Sequence, residues 1–147
     1  MIKITPDLIG IKRLIAKVSK ASTDMSPATI KLAGIMHNAV EENFEKGGRP
    51  SWIPLKPATL KQKKGRGGIL RHTGRLASSI FARHDATSAE VGTNVKVREH
   101  LLGAIHQFGA RAGRKGRSKI PARPFLKLTK KDINDMQGVI KKFLDNL

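Results

Sequence analysis

The residues best equipped for chemistry near neutral pH are His37, His72, His84, His100 and His106, as metal ligands or proton carriers. A helical metal site needs two ligands on one face, as in His-x-x-x-His or Glu-x-x-His. Neither pattern occurs here, and His106 has only Gln107 and Phe108 beside it. His37 falls inside an apolar stripe, the setting of a histidine at the edge of a core. Ser78 and Ser79 lack the G-x-S-x-G surroundings of a nucleophile elbow. The carboxylates gather at Glu41-Glu42, at Glu45 and in the last helical segment. There they read as solvated helix faces rather than as an acid–base pair. With no cysteine in the chain, disulfides and thiolate zinc sites are excluded. The expectation is a protein that is not an enzyme and needs no cofactor or metal.

What stands out instead is charge. Lys and Arg number 29 against 11 Asp and Glu, a net charge of +18. That imbalance attracts polyanions, whether nucleic acid, anionic lipid or an acidic protein face. It is also segregated, because residues 46–84 and 100–131 contain no Asp or Glu. Within them lie two glycine-rich basic loops, K-Q-K-K-G-R-G-G at 61–68 and A-R-A-G-R-K-G-R-S-K at 110–119. The first lacks the G-K-[ST] ending of a phosphate-binding P-loop and reads as a flexible electrostatic arm. Lys61, Lys63, Lys64 and Arg66 in the first loop are candidate contacts to phosphates or to an acidic partner surface. Arg111, Arg114, Lys115 and Arg117 in the second are candidates of the same kind. No DNA or RNA recognition motif accompanies them, and one Trp with five Phe is too few for a stacking platform. Both loops are expected to be mobile.

The elements that must hold these arms are legible in the apolar spacing. Pro6 opens a helix over 6–20 with Leu8, Ile11, Ile15 and Val18 on one face. Ser26-Pro27 supplies an N-cap and a proline at the first helical position of a second helix. Its stripe is Ile30, Ala33, His37, Val40 and Phe44, and Gly47-Gly48 stops it. Residues 49–56 carry Pro50 and Pro54 and so are irregular, with Trp52 as the anchor that folds them onto the core. Residues 57–64 read as a short helix. Thr73 then caps one helical turn that runs into a strand. A hairpin follows, with Ile80, Phe81, Thr87 and Val91 flanking Asp85-Ala86. A glycine turn at Gly92 leads to a mixed segment ending at Phe108. Residues 120–126, I-P-A-R-P-F-L, read as extended chain that two prolines confine to a sheet edge or a bulge. Thr129 and Asp132 resemble a capping box. They open a last helix with Ile133, Met136, Ile140, Phe143, Leu144 and Leu147 on one face. Strands cluster rather than alternate with helices, so the fold class is α+β. The expected architecture is a small antiparallel sheet packed with N-terminal and C-terminal helices, with long basic loops.

At 147 residues the chain reads as a single domain that buries roughly 68% of its unfolded surface. Its parts are helical over 6–46, an irregular arm over 47–68, a sheet region over 69–126 and a C-terminal helix over 129–146. No apolar run approaches the ~20 residues of a membrane span. Lys12 and Arg13 interrupt what would be a signal-peptide core. The expectation is a soluble protein with no membrane partner, remaining on the cytoplasmic side.

Five blocks in order carry a resemblance: F-E-K-G-G-R-P-S-W-I-P-L with Thr59 after it, I-L-R-H-T-G-R-L-A-S-S-I, V-G-T-N-V, I-H-Q-F-G-A and I-P-A-R-P-F-L. Together, over residues 44 to about 128, they resemble the virion morphogenesis (tail completion) family of Mu-like tailed phages and prophages. The resemblance implies a non-catalytic structural protein of the head–tail junction or tail terminus. Such a protein is a virion component assembled in the host bacterial cytoplasm. Distant kinship with small α+β neck and tail-terminator proteins implies a homo-oligomeric ring that meets other head or tail proteins. In that family the passage from V-G-T-N to I-H-Q-F-G is usually short and holds an aromatic, commonly Tyr-Ala. Here K-V-R-E-H-L-L-G-A is longer and has no tyrosine, which leaves the path of 96–103 open. The edge segment 120–126 is the expected subunit interface, through Arg123 and Phe125; the rival placement of Phe125 is the core. The rival function is a small basic nucleic-acid-binding module without sequence specificity. A ring subunit at a DNA passage in turn allows nonspecific DNA contact by the arms.

Overall fold

A computed structural model describes residue 13 and residues 16–20 and 23–147. Residues 13 and 16–20 are helical; the rest of the helix expected over 6–20, with Leu8, Ile11 and Ile15, lies outside the described residues. The first complete element, α1, spans Ser26–Lys46 with Pro27 in its first turn. Its start differs from expectation. Met25 is the cap residue, without a side-chain cap, and the Asp24 carboxylate accepts from the Ser26 N–H at 3.0 Å. The C-terminal stop is as expected: Gly47 is left-handed at φ 68, and the Gly48 N–H reaches the Asn43 carbonyl at 2.7 Å. Of the stripe, Ala33, Val40 and Phe44 are buried while Ile30 is exposed. The buried face is rotated toward Ala28, Ala39 and Asn43, which leaves Ile30 on its rim.

After the irregular arm, α2 spans Pro57–Lys63 and α3 is one turn, Arg75–Ser78. Gly74 rather than Thr73 caps α3. The turn runs directly into β1, Phe81–His84, which pairs antiparallel with β2, Ala89–Gly92. Between them, Asp85 accepts from the Thr87 and Ser88 N–H groups at 2.7 Å each and from the Ser88 hydroxyl at 2.7 Å. Those bonds, led by the Ser88 hydroxyl, lower its pKa to about 2. α1 packs across this hairpin and is tied to it by Thr29 Oγ1, which donates to the Asp85 carbonyl at 2.6 Å.

The open path of 96–103 is a second, minimal hairpin. β3, Lys96–Val97, pairs with β4, His100–Leu101, around Arg98 at φ 55. It passes straight into α4, Leu102–Phe108. Residues 110–119, expected as a mobile loop, form a third hairpin. β5, Ala110–Ala112, pairs with β6, Ser118–Ile120, and a single 3-10 turn, Arg114–Gly116, makes the tip. Glycine and charge dominate the composition of that segment, and most of both belong to the tip, with Arg111 and Lys119 paired in the strands. Ala110 and Ala112 pair with Ile120 and Ser118 on either side of the Arg111–Lys119 pair. The described residues thus hold three separate two-stranded sheets in place of one small sheet, within an α+β fold. Only Ile120 of the expected edge segment 120–126 is in a strand. Pro121 and Pro124 cannot donate to a ladder, and the chain turns inward instead.

The last helix, α5, spans Lys130–Asp145 behind a complete Thr129–Asp132 capping box. It packs along α1 with Met136, Val139 and Phe143 half-buried, while Ile133, Ile140 and Leu144 of the expected face are exposed. The core is Val40, Phe44, Trp52, Leu76 and Phe125. Phe44 meets Trp52 edge-on, with centroids 6.0 Å apart, and Phe125 at 5.4 Å, a geometry aromatic quadrupoles favour. Phe125 is 0% exposed. It is therefore core rather than a side chain at a subunit edge. No described helix is long and apolar enough to cross a membrane.

Candidate docking groove and basic hairpin

Residues 121–126 have left the sheet, so their backbone groups must find other partners. Asn43, fully buried in the last turn of α1, donates from Nδ2 to the carbonyls of Phe125 at 2.7 Å and Lys127 at 2.9 Å. From the other side, Gln107 Oε1 in α4 accepts from the N–H groups of Phe125 and Leu126 at 3.1 and 3.0 Å. Trp52 Nε1 donates to the Pro124 carbonyl at 3.1 Å. Arg123, expected at a subunit interface, is folded onto its own arm. It is 6% exposed, and its guanidinium donates to the Ile53 and Pro54 carbonyls at 3.0 and 3.3 Å.

Arg49 completes this fastening. Its Nε donates to Asn43 Oδ1 at 2.8 Å, and its guanidinium reaches the Ala39 carbonyl at 2.7 Å, Glu42 at 3.0 Å and Asp132 at 3.1 Å. Asp132 thus holds Arg49 and caps α5 at once. Burial works to raise its pKa, but the Thr129 N–H, the Thr129 hydroxyl and Arg49 outweigh it and hold the carboxyl below its ordinary range.

The arm so fixed forms one wall of a groove. Its inner end is a half-open cleft of about 470 Å³, floored by Leu55, Leu70, Leu76 and Leu102 and edged by His72, Arg75 and Arg123. His106 lines the same end, and its Nδ1 is buried with no hydrogen-bond partner. Burial, then the nearby Arg123 charge, holds this imidazole below the usual histidine range. A middle stretch of about 240 Å³ shares Leu55, Thr59 and Arg123 with the inner end and runs between the arm and β6. An outer stretch of about 450 Å³ continues it to the foot of the β5–β6 hairpin. There Phe108 is 79% exposed beside Ile53 at 58%.

The expected phosphate or partner contacts are distributed unevenly. Arg111, Arg114, Lys115 and Arg117 all lie exposed on the one β5–β6 hairpin and its tip. Lys61, Lys64 and Arg66 are exposed around the end of α2. Lys63 is buried, and its ammonium donates to the Gly68 carbonyl, closing the 64–68 loop from inside. Its charge faces the protein, so it stands apart from the other seven. Among the described residues, no cluster of three or more His, Cys, Asp or Glu could hold a metal ion.

Asn43, Arg49, Gln107 and Phe108 were not singled out by sequence reasoning. Each of the polar three has a partner beyond the reach of local spacing: 82 residues away for the Asn43–Phe125 bond, 83 for Arg49–Asp132 and 18 for Gln107–Phe125. Local spacing carries no sign of such pairs. For Arg49 one signal existed, a lone cation between a helix-stopping Gly-Gly and a proline.

A model of the phage virion morphogenesis family matches residues 7–145 of this chain. The chain is also 38% identical over 137 residues to "Mu-like prophage FluMu G protein 2" of Haemophilus influenzae, covering 93% of this chain and 91% of that protein. No solved structure matches it.

Proposed function

The chain belongs to the phage virion morphogenesis family, and on that premise we propose that it completes the tail of a Mu-like phage or prophage. It acts as a ring-forming structural subunit at the head–tail junction or tail terminus, where it meets other head or tail proteins. Its part in the building of a virion follows from family membership; the position and the ring go beyond that membership. The observation that supports the ring is the foot of the β5–β6 hairpin. Phe108 stands 79% exposed beside exposed Ile53, next to a sheet of only two strands. An uncovered aromatic beside unpaired strand edges is a surface that a neighbouring subunit covers. A heterologous contact of this kind closes into a ring when its rotation divides the circle.

A second reading, nonspecific DNA contact, is favoured by the four exposed cations of that hairpin, Arg111, Arg114, Lys115 and Arg117. It is compatible with a ring around a DNA passage. The test is a prophage in which this reading frame is interrupted. Electron microscopy of the induced lysate is expected to show heads and tails that fail to join or tails of irregular end, with complementation restoring particles. Normal, infectious particles without this protein overturn the assignment.

A further inference from the structure

The geometry points to a binding site for an acidic, extended segment of a partner protein, in the groove between the arm and β6. This rests on the reading of the chain as a virion assembly subunit and names the chemistry of one partner.

The first ground is charge. Every residue that lines the three stretches of the groove comes from 46–84 or 100–131. Those two segments hold 19 of the 29 basic residues and none of the 11 acidic ones, leaving 10 basic against 11 acidic in the remainder. The entire excess charge of the molecule therefore sits on the segments that build this groove. A partner bearing carboxylates is attracted there, whereas the same face of a second copy is repelled.

The second ground is the strand edge. The middle stretch is lined by Ser118, Lys119 and Ile120 of β6 and by no residue of β5. It therefore runs along the side of β6 away from its single partner strand. An extended segment laid there extends the ladder by main-chain hydrogen bonds, with alternate side chains facing the groove.

The third ground is the inner cleft. Four leucine side chains on its floor fit an apolar side chain, and Arg75 and His72 at its edge fit a carboxylate beside it. No Phe, Trp or Tyr lines the inner or middle stretch and Phe108 lines only the outer one, so the groove lacks the succession of aromatic rings on which consecutive bases stack.

The probe is a short fluorescent peptide in which Glu alternates with Leu and Val, read by anisotropy. Controls are poly-Glu of equal charge and a short DNA duplex as competitor. Thr59→Trp fills the join between inner and middle stretches without removing a charge, and Arg75→Glu reverses the charge at the mouth. Both are expected to weaken the alternating peptide at least ~10-fold, while Arg114→Glu at the hairpin tip changes it less. Slowed hydrogen exchange at Lys119 and Ile120 on binding is expected from strand addition. Poly-Glu binding as tightly as the alternating peptide, or Thr59→Trp without effect in a protein whose melting temperature is unchanged, overturns the proposal. Displacement of the peptide by duplex DNA at equal charge overturns it in favour of nucleic acid. The native mass of each variant separates this from the ring: a ring that persists while the peptide is lost, or the reverse, shows which idea has failed.

Discussion

Asn43 joins two parts of the chain that no local pattern links. Its amide satisfies two carbonyls of 125–127 and one nitrogen of Arg49, all in a buried setting. Asn43→Ala leaves those groups unpaired, and buried unpaired groups cost ~1–3 kcal/mol each. The expected loss is about 2–4 kcal/mol in urea unfolding; a loss below ~0.5 kcal/mol contradicts the fastening role. A second expectation concerns His106. Its folded pKa lies below the ordinary 6.5 because burial and Arg123 disfavour the cation, so the unfolded chain binds the extra proton more readily. Stability is therefore full above pH 6.5 and declines as pH falls from there toward the folded value. His106→Gln is expected to flatten that part of the profile of melting temperature against pH; an unchanged slope contradicts the assignment. At this scale the sequence was partly readable. The Thr129–Asp132 box depends on near neighbours and is legible; Trp52 is legible as an anchor among prolines, although its partner Pro124 lies 72 residues away. For Phe125 the sequence leaves edge and core open, and long-range packing places it in the core.

Among the elements, the helices were the readable part, because their apolar period repeats over several turns. α1 was legible from Pro27 to Gly47 and α5 from Thr129 onward, with only their buried faces rotated from expectation. The hairpins were harder. β1–β2 has β-branched and aromatic residues among its pairing positions and is legible, whereas β5–β6 pairs alanines with serine and isoleucine around an Arg111–Lys119 pair and reads as loop. Three-residue strands offer too few alternations for a period of two to show. The correction has a proteolytic consequence. Lys64 and Arg66 follow α2 in an exposed loop, and Arg114, Lys115 and Arg117 cap a short hairpin. Limited trypsin digestion is expected to cut first at these two places, sparing buried Lys63. Early cleavage within α1 contradicts this plan of the domain.

For the whole molecule, the segregation of charge was plain in the sequence, but its meaning was not. Residues 46–84 and 100–131 fold against one another, so two separate acid-free stretches become the walls of one groove. At the outer end of that groove Phe108 and Ile53 are both exposed. The central claim is that a neighbouring copy covers Phe108 and Ile53 at the foot of the β5–β6 hairpin, and that this contact closes into a ring. Size-exclusion chromatography with light scattering, at low and high salt, tests it most directly. The account predicts one species whose mass is a fixed multiple of the 16.1 kDa chain. It also predicts that Phe108→Asp yields a folded species of 16.1 kDa. Wild-type protein that stays at 16.1 kDa at high concentration, with its head and tail partners present, contradicts it.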